Sequence, residues 1–350
     1  MKILNITIFC LLYISTNCAV AQEKIGPAID ALIQLKVPRA FNGSILISKN
    51  GQQLYQRSHG FRDMKLQKPF KINDQFLIGS ISKMITAVLV LREVQAGHIQ
   101  LNHPIRTYLP AYDQKWADTV TIQHLLHHSS GIVNWDKNLL FAPGTRFSYS
   151  NINYAILGKI IEKTSGQSYA TLTKELFNSC QMYHSTVPSH SHTKGNPGQL
   201  VTGHTESGNG KYKADNILHL LDTPPMGIPA AGIISTAMDL TNWTTSLHTG
   251  KLLHDSTYKN MITNSISRPH RWGRVNYGDG IQIDEIDGIK EFSMSGYVPG
   301  FISTLIYYPA SKITVVVLEN ISPDPSDMNR VFFYPDQIRE LIRIQLLKTN

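Results

Sequence analysis

The chain has almost no cysteine. Three occur in 350 residues, and Cys10 and Cys18 fall in an apolar leader that reads as removable. Only Cys180 lies beyond it, so no internal disulfide can form in the mature chain and the core alone must hold the fold. Cys180 reads as a small, semi-buried side chain. Charge is also sparse, 17% against 42% hydrophobic residues, which argues against a disordered chain, and neither collagen-like nor coiled-coil bias is present. No run beyond the leader is long and apolar enough to cross a bilayer. The net charge of +8 comes from scattered Lys and Arg, without a nucleic-acid-binding motif. Attraction to an anionic cell envelope is the modest inference.

Several catalytic signatures are missing as well. Without a G-x-S-x-G elbow, an α/β-hydrolase is disfavoured. There is no phosphate-binding P-loop. His124, His127 and His128 have helical spacing, but no H-E-x-x-H pattern accompanies them, and no metal is expected. His190 and His192 sit in a polar loop, where metal binding would be adventitious.

What is present begins with the leader. Lys2 is a positive n-region, Ile3 to Ile14 an apolar core, and Ala19-Val20-Ala21 a small-residue cleavage site before Gln22. Residues 1–21 are therefore expected to be a signal peptide, and the mature protein periplasmic or secreted. Residues 22–350 are expected to form one domain of class α+β. An amphipathic helix spans Lys24 to Lys36. Ser44 to Ser48 and Gln53 to Ser58 read as strands joined by a tight Asn50-Gly51 turn. A largely buried helix runs from Ser82 to near Gly97, and shorter helices cover Ile122 to His128 and Asn151 to Thr164. Pro188 to Lys213 reads as a surface loop. Thr236 and Asp239 fit a capping box for a helix to Leu247. Strands are predicted at Gly280 to Ile286, Lys290 to Met294, Phe301 to Tyr308 and Ile313 to Glu319, then a helix from about Pro335 to Leu347. Strands at both chain ends can share one antiparallel sheet (about residues 22–80 and 265–350). The middle, about 81–264, forms a helical lobe, and the cleft between them is the natural site.

Three short segments carry the chemistry. Ser80 and Lys83 are three apart and share a helix face. A buried Lys loses proton affinity, so Lys83 can accept the Ser80 proton and generate a nucleophile. The spacing alone is weak, for it recurs at Ser191–Lys194 and Ser256–Lys259. Only Ser80 has a strand-like lead-in, a preceding Gly and an apolar helix after it. Tyr149-Ser150-Asn151 follows the turn-rich Ala142 to Ser148. Tyr149 is placed to shuttle a proton, and Asn151 to hold a substrate carbonyl or Lys83, although packing and capping would also account for them. The third segment is Gly296 to Phe301, leading into a strand.

Taken in order, these segments resemble the serine β-lactamase and penicillin-binding-protein superfamily, in its class C β-lactamase-like branch. Leu125 to Gly131, Pro143 to Gly158, Ala230 to Leu240 and Pro299-Gly300-Phe301 extend the resemblance over about residues 40 to 320. It implies an antiparallel sheet flanked by terminal helices beside a mainly helical lobe. It implies Ser80 as acylated nucleophile, Lys83 as its base, Tyr149 as second general acid/base and Asn151 as substrate ligand. No metal or organic cofactor is implied. Met294, Ser295 and Gly296 take the substrate-facing strand, which with the Ser80 N–H would form an oxyanion hole. The resemblance breaks at Met294, where Lys or His is usual. Met carries no charge and donates no hydrogen bond, which removes about 1.5–3 kcal/mol of carboxylate recognition. Arg271 and Arg274 are near in sequence but read as solvated. The expected activity is therefore that of an esterase or D-peptidase-like enzyme on ester, amide or peptide substrates, peptidoglycan fragments among them, with weak or no β-lactamase activity. The alternative is a non-catalytic or non-turnover protein that binds cell-wall fragments or a protein partner.

Overall fold

The computed structural model describes residues 25–188, 199–206, 211–215, 227–263 and 265–348. The leader with Cys10 and Cys18, the His190-Ser191-His192 motif and the Ser191–Lys194 repeat lie outside them.

Eight strands form one sheet. In chain order they are β1 (Gly43–Lys49), β2 (Gln52–His59), β3 (Ile266–His270), β4 (Gly273–Tyr277), β5 (Gln282–Ile286), β6 (Ile289–Val298), β7 (Phe301–Tyr308) and β8 (Ile313–Glu319). Their spatial order is β2-β1-β8-β7-β6-β5-β4-β3, and every pairing is antiparallel. The Asn50-Gly51 turn joins β1 to β2 with both residues at positive φ, 52° and 77°, as a two-residue hairpin of this twist requires. Strands from the two chain ends meet where β1 pairs with β8, Ile45 opposite Val317.

Alternation along these strands divides the core. Leu46, Val316 and Leu318 enter one apolar cluster, shared with the helical lobe. Ile45, Ile47, Val315 and Val317 enter the other, with Ile29 and Ile33 near the N-terminus and Tyr334, Ile338 and Ile342 near the C-terminus. Both faces of β8 are thus covered, which is why its sequence is an unbroken apolar run from Val315 to Leu318. The covering helices on the second face are α1 (residues 25–32) and the C-terminal helix Phe333–Leu347. A buried ion pair between Arg39 and Glu319 ties β8 to the segment before β1, and Arg39 also donates to the carbonyls of Arg330 and Val331.

The helical lobe centres on α2 (Ser82–Gln95), buried on all sides from Ser82 to Leu91. A helix apolar all round must lie inside the protein. Against it pack α3 (Asn151–Ser165) and the short helix Ile228–Ala231. Gly166, at φ 70°, ends α3 with a left-handed cap. Among the described residues no helix is long and apolar enough to cross a membrane.

Four expectations need correction. Gly203–Glu206 and Tyr212–Asp215 are paired strands inside the segment read as loop. The Thr236–Asp239 box is half formed: Thr236 Oγ1 accepts from Asp239 N, but the Asp239 carboxylate accepts from His184 N and Ser185 Oγ instead. Strand β5 begins at Gln282 rather than Gly280, because Gly280 turns at φ 76°. Arg271 is not solvated but forms a bidentate pair with Asp336.

Candidate active site

Ser80 sits in a 3-10 turn, Gly79–Ile81, that leads directly into α2. The turn is held from both lobes. Ile78 N donates to Ile233 O at 2.9 Å, and Ser303 Oγ on β7 donates to Ile78 O at 2.7 Å. Gly79 has φ +50°, which favours glycine, and a Cβ there would lie 3.1 Å from Tyr297 N. Gly296 faces the turn from β6. A Cβ on it would fall 2.3 Å from Ile78 O and 2.9 Å from Ser80 N, so only glycine allows this approach. Strand β5 pairs with β6 only between Ile289 and Ser293, so beyond Ser293 β6 has no strand partner on that side among the described residues. The backbone nitrogens of Ser80 and Tyr297 both border this contact.

Lys83, one turn along the chain, is fully buried. Its Nζ is 3.0 Å from Ser80 Oγ, 2.8 Å from Asn151 Oδ1 and 2.8 Å from Ala230 O. None of these partners is a carboxylate. Burial holds the amine well below the ordinary lysine range. A neutral amine donates to Asn151 and Ala230 and offers its lone pair to the Ser80 hydroxyl.

Tyr149 completes the cluster, its hydroxyl 2.5 Å from Ser80 Oγ and its ring 4.7 Å from Lys83 Nζ. The residue is 44% exposed; desolvation at the hydroxyl raises the phenol, opposed by the bond to Ser80 and the charge of Arg268. Tyr149 therefore keeps its proton at neutral pH, next to an amine whose hold on its proton burial has weakened. That is a matched acid and base.

Four of the seven candidate residues, Ser80, Lys83, Tyr149 and Asn151, form one hydrogen-bonded cluster, and Gly296 abuts it. The other two are differently placed. The Ser295 hydroxyl pairs with Thr304 Oγ1 at 3.1 Å. Met294 is buried with Sδ 3.9 Å from the Tyr277 hydroxyl.

His128 was not among the expected site residues. It grips the Tyr149 segment at both ends: its carbonyl accepts from Ser148 N at 2.7 Å and its Nδ1 from Ser150 N at 3.1 Å. The ring lies 4.4 Å from that of Tyr149, tilted by 32°. Burial, aided by Lys83, Arg268 and His127, keeps His128 neutral, and the bond at Nδ1 places its proton on Nε2. Its neighbours turn elsewhere, His127 to Asp279 at 2.9 Å and His124 to Thr121 N. The one sequence signal for His128 was its place in the Leu125–Gly131 segment.

The profile of the Beta-lactamase family matches residues 30–336. Among curated relatives, penicillin-binding protein 4* of Bacillus subtilis is 26% identical over 321 residues, covering 81% of this chain and 69% of its own length. Protein flp of Staphylococcus aureus is 26% identical over 335 residues, and the alignment covers 87% of this chain but 64% of flp, less than two thirds. Among solved structures, the D-amino acid amidase of Ochrobactrum anthropi superposes with a TM-score of 0.77 at 20% identity, covering 91% of this chain and 98% of that one. That likeness shows the β-lactamase/transpeptidase-like α+β fold.

Proposed function

The chain belongs to the Beta-lactamase family of serine hydrolases, and from that premise we propose that it hydrolyses ester or amide substrates through an acyl-enzyme at Ser80. The observation that carries the proposal is the fully buried Lys83, without a carboxylate partner, 3.0 Å from Ser80 Oγ.

In the proposed reaction Lys83 Nζ takes the Ser80 proton as Oγ bonds to the substrate carbonyl carbon. The carbonyl oxygen becomes an oxyanion held by the backbone N–H groups of Ser80 and Tyr297. The intermediate collapses, the bond to the leaving group breaks, and Tyr149 gives that group its proton. A proton then passes from Lys83 to the Tyr149 oxygen, which restores the neutral amine and the phenol while Ser80 stays acylated. For deacylation, water loses a proton to the Tyr149–Lys83 pair and attacks the ester carbon. Ser80 leaves with a proton and the acid product departs. Asn151 orients Lys83 through its Oδ1 and offers its amide to the substrate. Met294, Ser295 and Gly296 line the proposed substrate strand.

Esterase or D-peptidase-like activity fits best. The relatives' names, a penicillin-binding protein and a D-amino acid amidase, support amide substrates. Met294 supplies no cation, which lowers the expectation for β-lactams. The leader supports export.

Intact-protein mass after a fluorophosphonate tests the reading. The wild type is expected to gain a single adduct and Ser80→Ala none. Labelling elsewhere in Ser80→Ala would remove Ser80 as nucleophile. No adduct on folded wild type would favour a non-catalytic protein that binds cell-wall fragments.

A further inference from the structure

Apart from the catalytic cluster, a cavity of about 570 Å³ opens between two segments of the helical lobe, Asp113–Thr119 and Trp135–Leu139. None of Ser80, Lys83, Tyr149 and Asn151 lines it. Its walls stand on an aromatic frame. Trp116 is buried and Trp135 half-buried, and both border the cavity. The Tyr112 ring lies 6.2 Å from that of Trp116 and 6.3 Å from that of Trp135. Lys159, on α3, sets its ammonium 5.6 Å from the centre of the Tyr112 ring and 5.7 Å from that of Trp135. The rings are thus fixed by one another before a ligand arrives, which lowers the ordering cost of binding.

The polar part of the wall is uncommitted. Asp113, Lys115, Asp136, Lys137 and Asn138 line the cavity and are exposed. Among the described residues, none of these five side chains makes a hydrogen bond or an ion pair. Two carboxylates balance two ammonium groups, so the cavity favours neither an anion nor a cation. A wholly apolar ligand would strip water from these groups and return nothing. The combination calls for a neutral molecule with an apolar face and an edge of hydroxyls. A pyranose ring has both. Its C–H face packs against the electron-rich face of an indole. Each hydroxyl can donate to a carboxylate and accept from an ammonium or an amide. The volume lies within the range of about 300–1,000 Å³ usual for small-ligand sites.

The wall that carries Trp135 belongs to the loop that ends at Tyr149. Leu140 N donates to Gly131 O and Gly144 N to Ser129 O, both at 2.8 Å. These bonds brace the loop from within, so Trp135 is presented on a held segment.

We propose that this cavity is a glycan-binding site that takes the pyranose rings of a neutral oligosaccharide. Trp135 is the stacking platform, and Asp113 and Asn138, on opposite walls, meet the hydroxyls. The sugar is an anchor here and not a reactant. The inference goes beyond the acyl-enzyme reading and does not depend on it.

Isothermal titration calorimetry with chitotetraose and with cellotetraose tests the proposal. Both are neutral, and they differ in bearing an acetamido group or a hydroxyl on each ring. Wild type is expected to bind at least one of them saturably. Trp135→Ala is expected to weaken that binding by about tenfold or more, as for an aromatic anchor, and Trp135→Phe to retain most of it. Asp113→Ala, on the exposed opposite wall, is expected to weaken it by about two- to tenfold, the range of one hydrogen bond. Ser80→Ala is expected to bind as wild type does. A melting curve on each variant confirms that it is folded. The absence of binding to both sugars by folded wild type overturns the proposal. So does binding that Trp135→Ala and Asp113→Ala both leave unchanged, or binding that Ser80→Ala abolishes, which would place the sugar in the catalytic cleft instead.

Discussion

Lys83→Met is expected to slow acylation of Ser80 by about 10²- to 10⁴-fold, the usual range for a positioned general base. Met is nearly isosteric and suits a fully buried site, so the loss reports the amine and not a cavity. The pH dependence discriminates further. Acylation needs the neutral amine, so the wild-type rate falls as pH drops through the lowered Lys83 value. Lys83→Met should lack that limb. Stability carries the same signature. The folded state binds fewer protons than the unfolded state between the lowered value of Lys83 and the ordinary lysine range. Across that window wild type gains up to about 1.4 kcal/mol of stability per pH unit, and the variant loses this slope. Labelling rates and thermal melts from acidic to alkaline pH measure both. An unchanged acylation rate in Lys83→Met would assign the base elsewhere.

Gly296→Ala is expected to be nearly as damaging, by a different route. The added methyl would lie 2.3 Å from Ile78 O, 2.4 Å from Ser303 Oγ and 2.9 Å from Ser80 N. Two of the three are backbone atoms, so the strand and the nucleophile turn must separate. Overpacking of this kind costs about 1–3 kcal/mol, a fall of several degrees in Tm for a chain of this size. The larger effect is on rate. Moving the Ser80 and Tyr297 nitrogens apart removes donors for the oxyanion, each worth about 10²- to 10³-fold. Labelling kinetics with a melting curve separate the two effects. Wild-type labelling in a destabilised Gly296→Ala protein would show that the approach of β6 matters for packing only.

The parts of the site that were legible in the sequence are those in which chemistry is local. Ser80 and Lys83 sit on one helical turn, Tyr149 and Asn151 on one loop-to-helix junction, and residue type with spacing brings each pair to view. The strand that brings the charge of Arg268 near Tyr149 was missed. Ile266–His270 contains Pro269, which removes a ladder donor and argues against a strand. Strand β3 tolerates it as the outermost strand of the sheet. His128 was overlooked for a related reason. Its part in the site is a clamp on backbone groups twenty residues further along, and no local pattern encodes a partner at that distance. The half-formed Thr236 box failed through competition, since His184 and Ser185 offer Asp239 better donors than its own helix does. The long apolar strands and the Asn50-Gly51 turn were legible because burial on both faces and a positive-φ turn each leave a composition of their own.

Strand β1, lodged between β2 and β8, constrains how the molecule can assemble. During synthesis β1 and β2 emerge first, yet the neighbour that covers the other side of β1 is encoded more than two hundred and fifty residues later. Until then the hairpin carries an open, apolar edge, the kind of surface on which chains pair wrongly. The helical lobe closes over nearer sequence and can form while that edge waits. Joining the two ends of the chain is then expected to be the late, slow event, as where distant pairings dominate. The framework that presses Gly296 against Ser80 is complete only once β8 pairs with both β1 and β7, so the placement of the oxyanion donors depends on contact between the two ends of the chain.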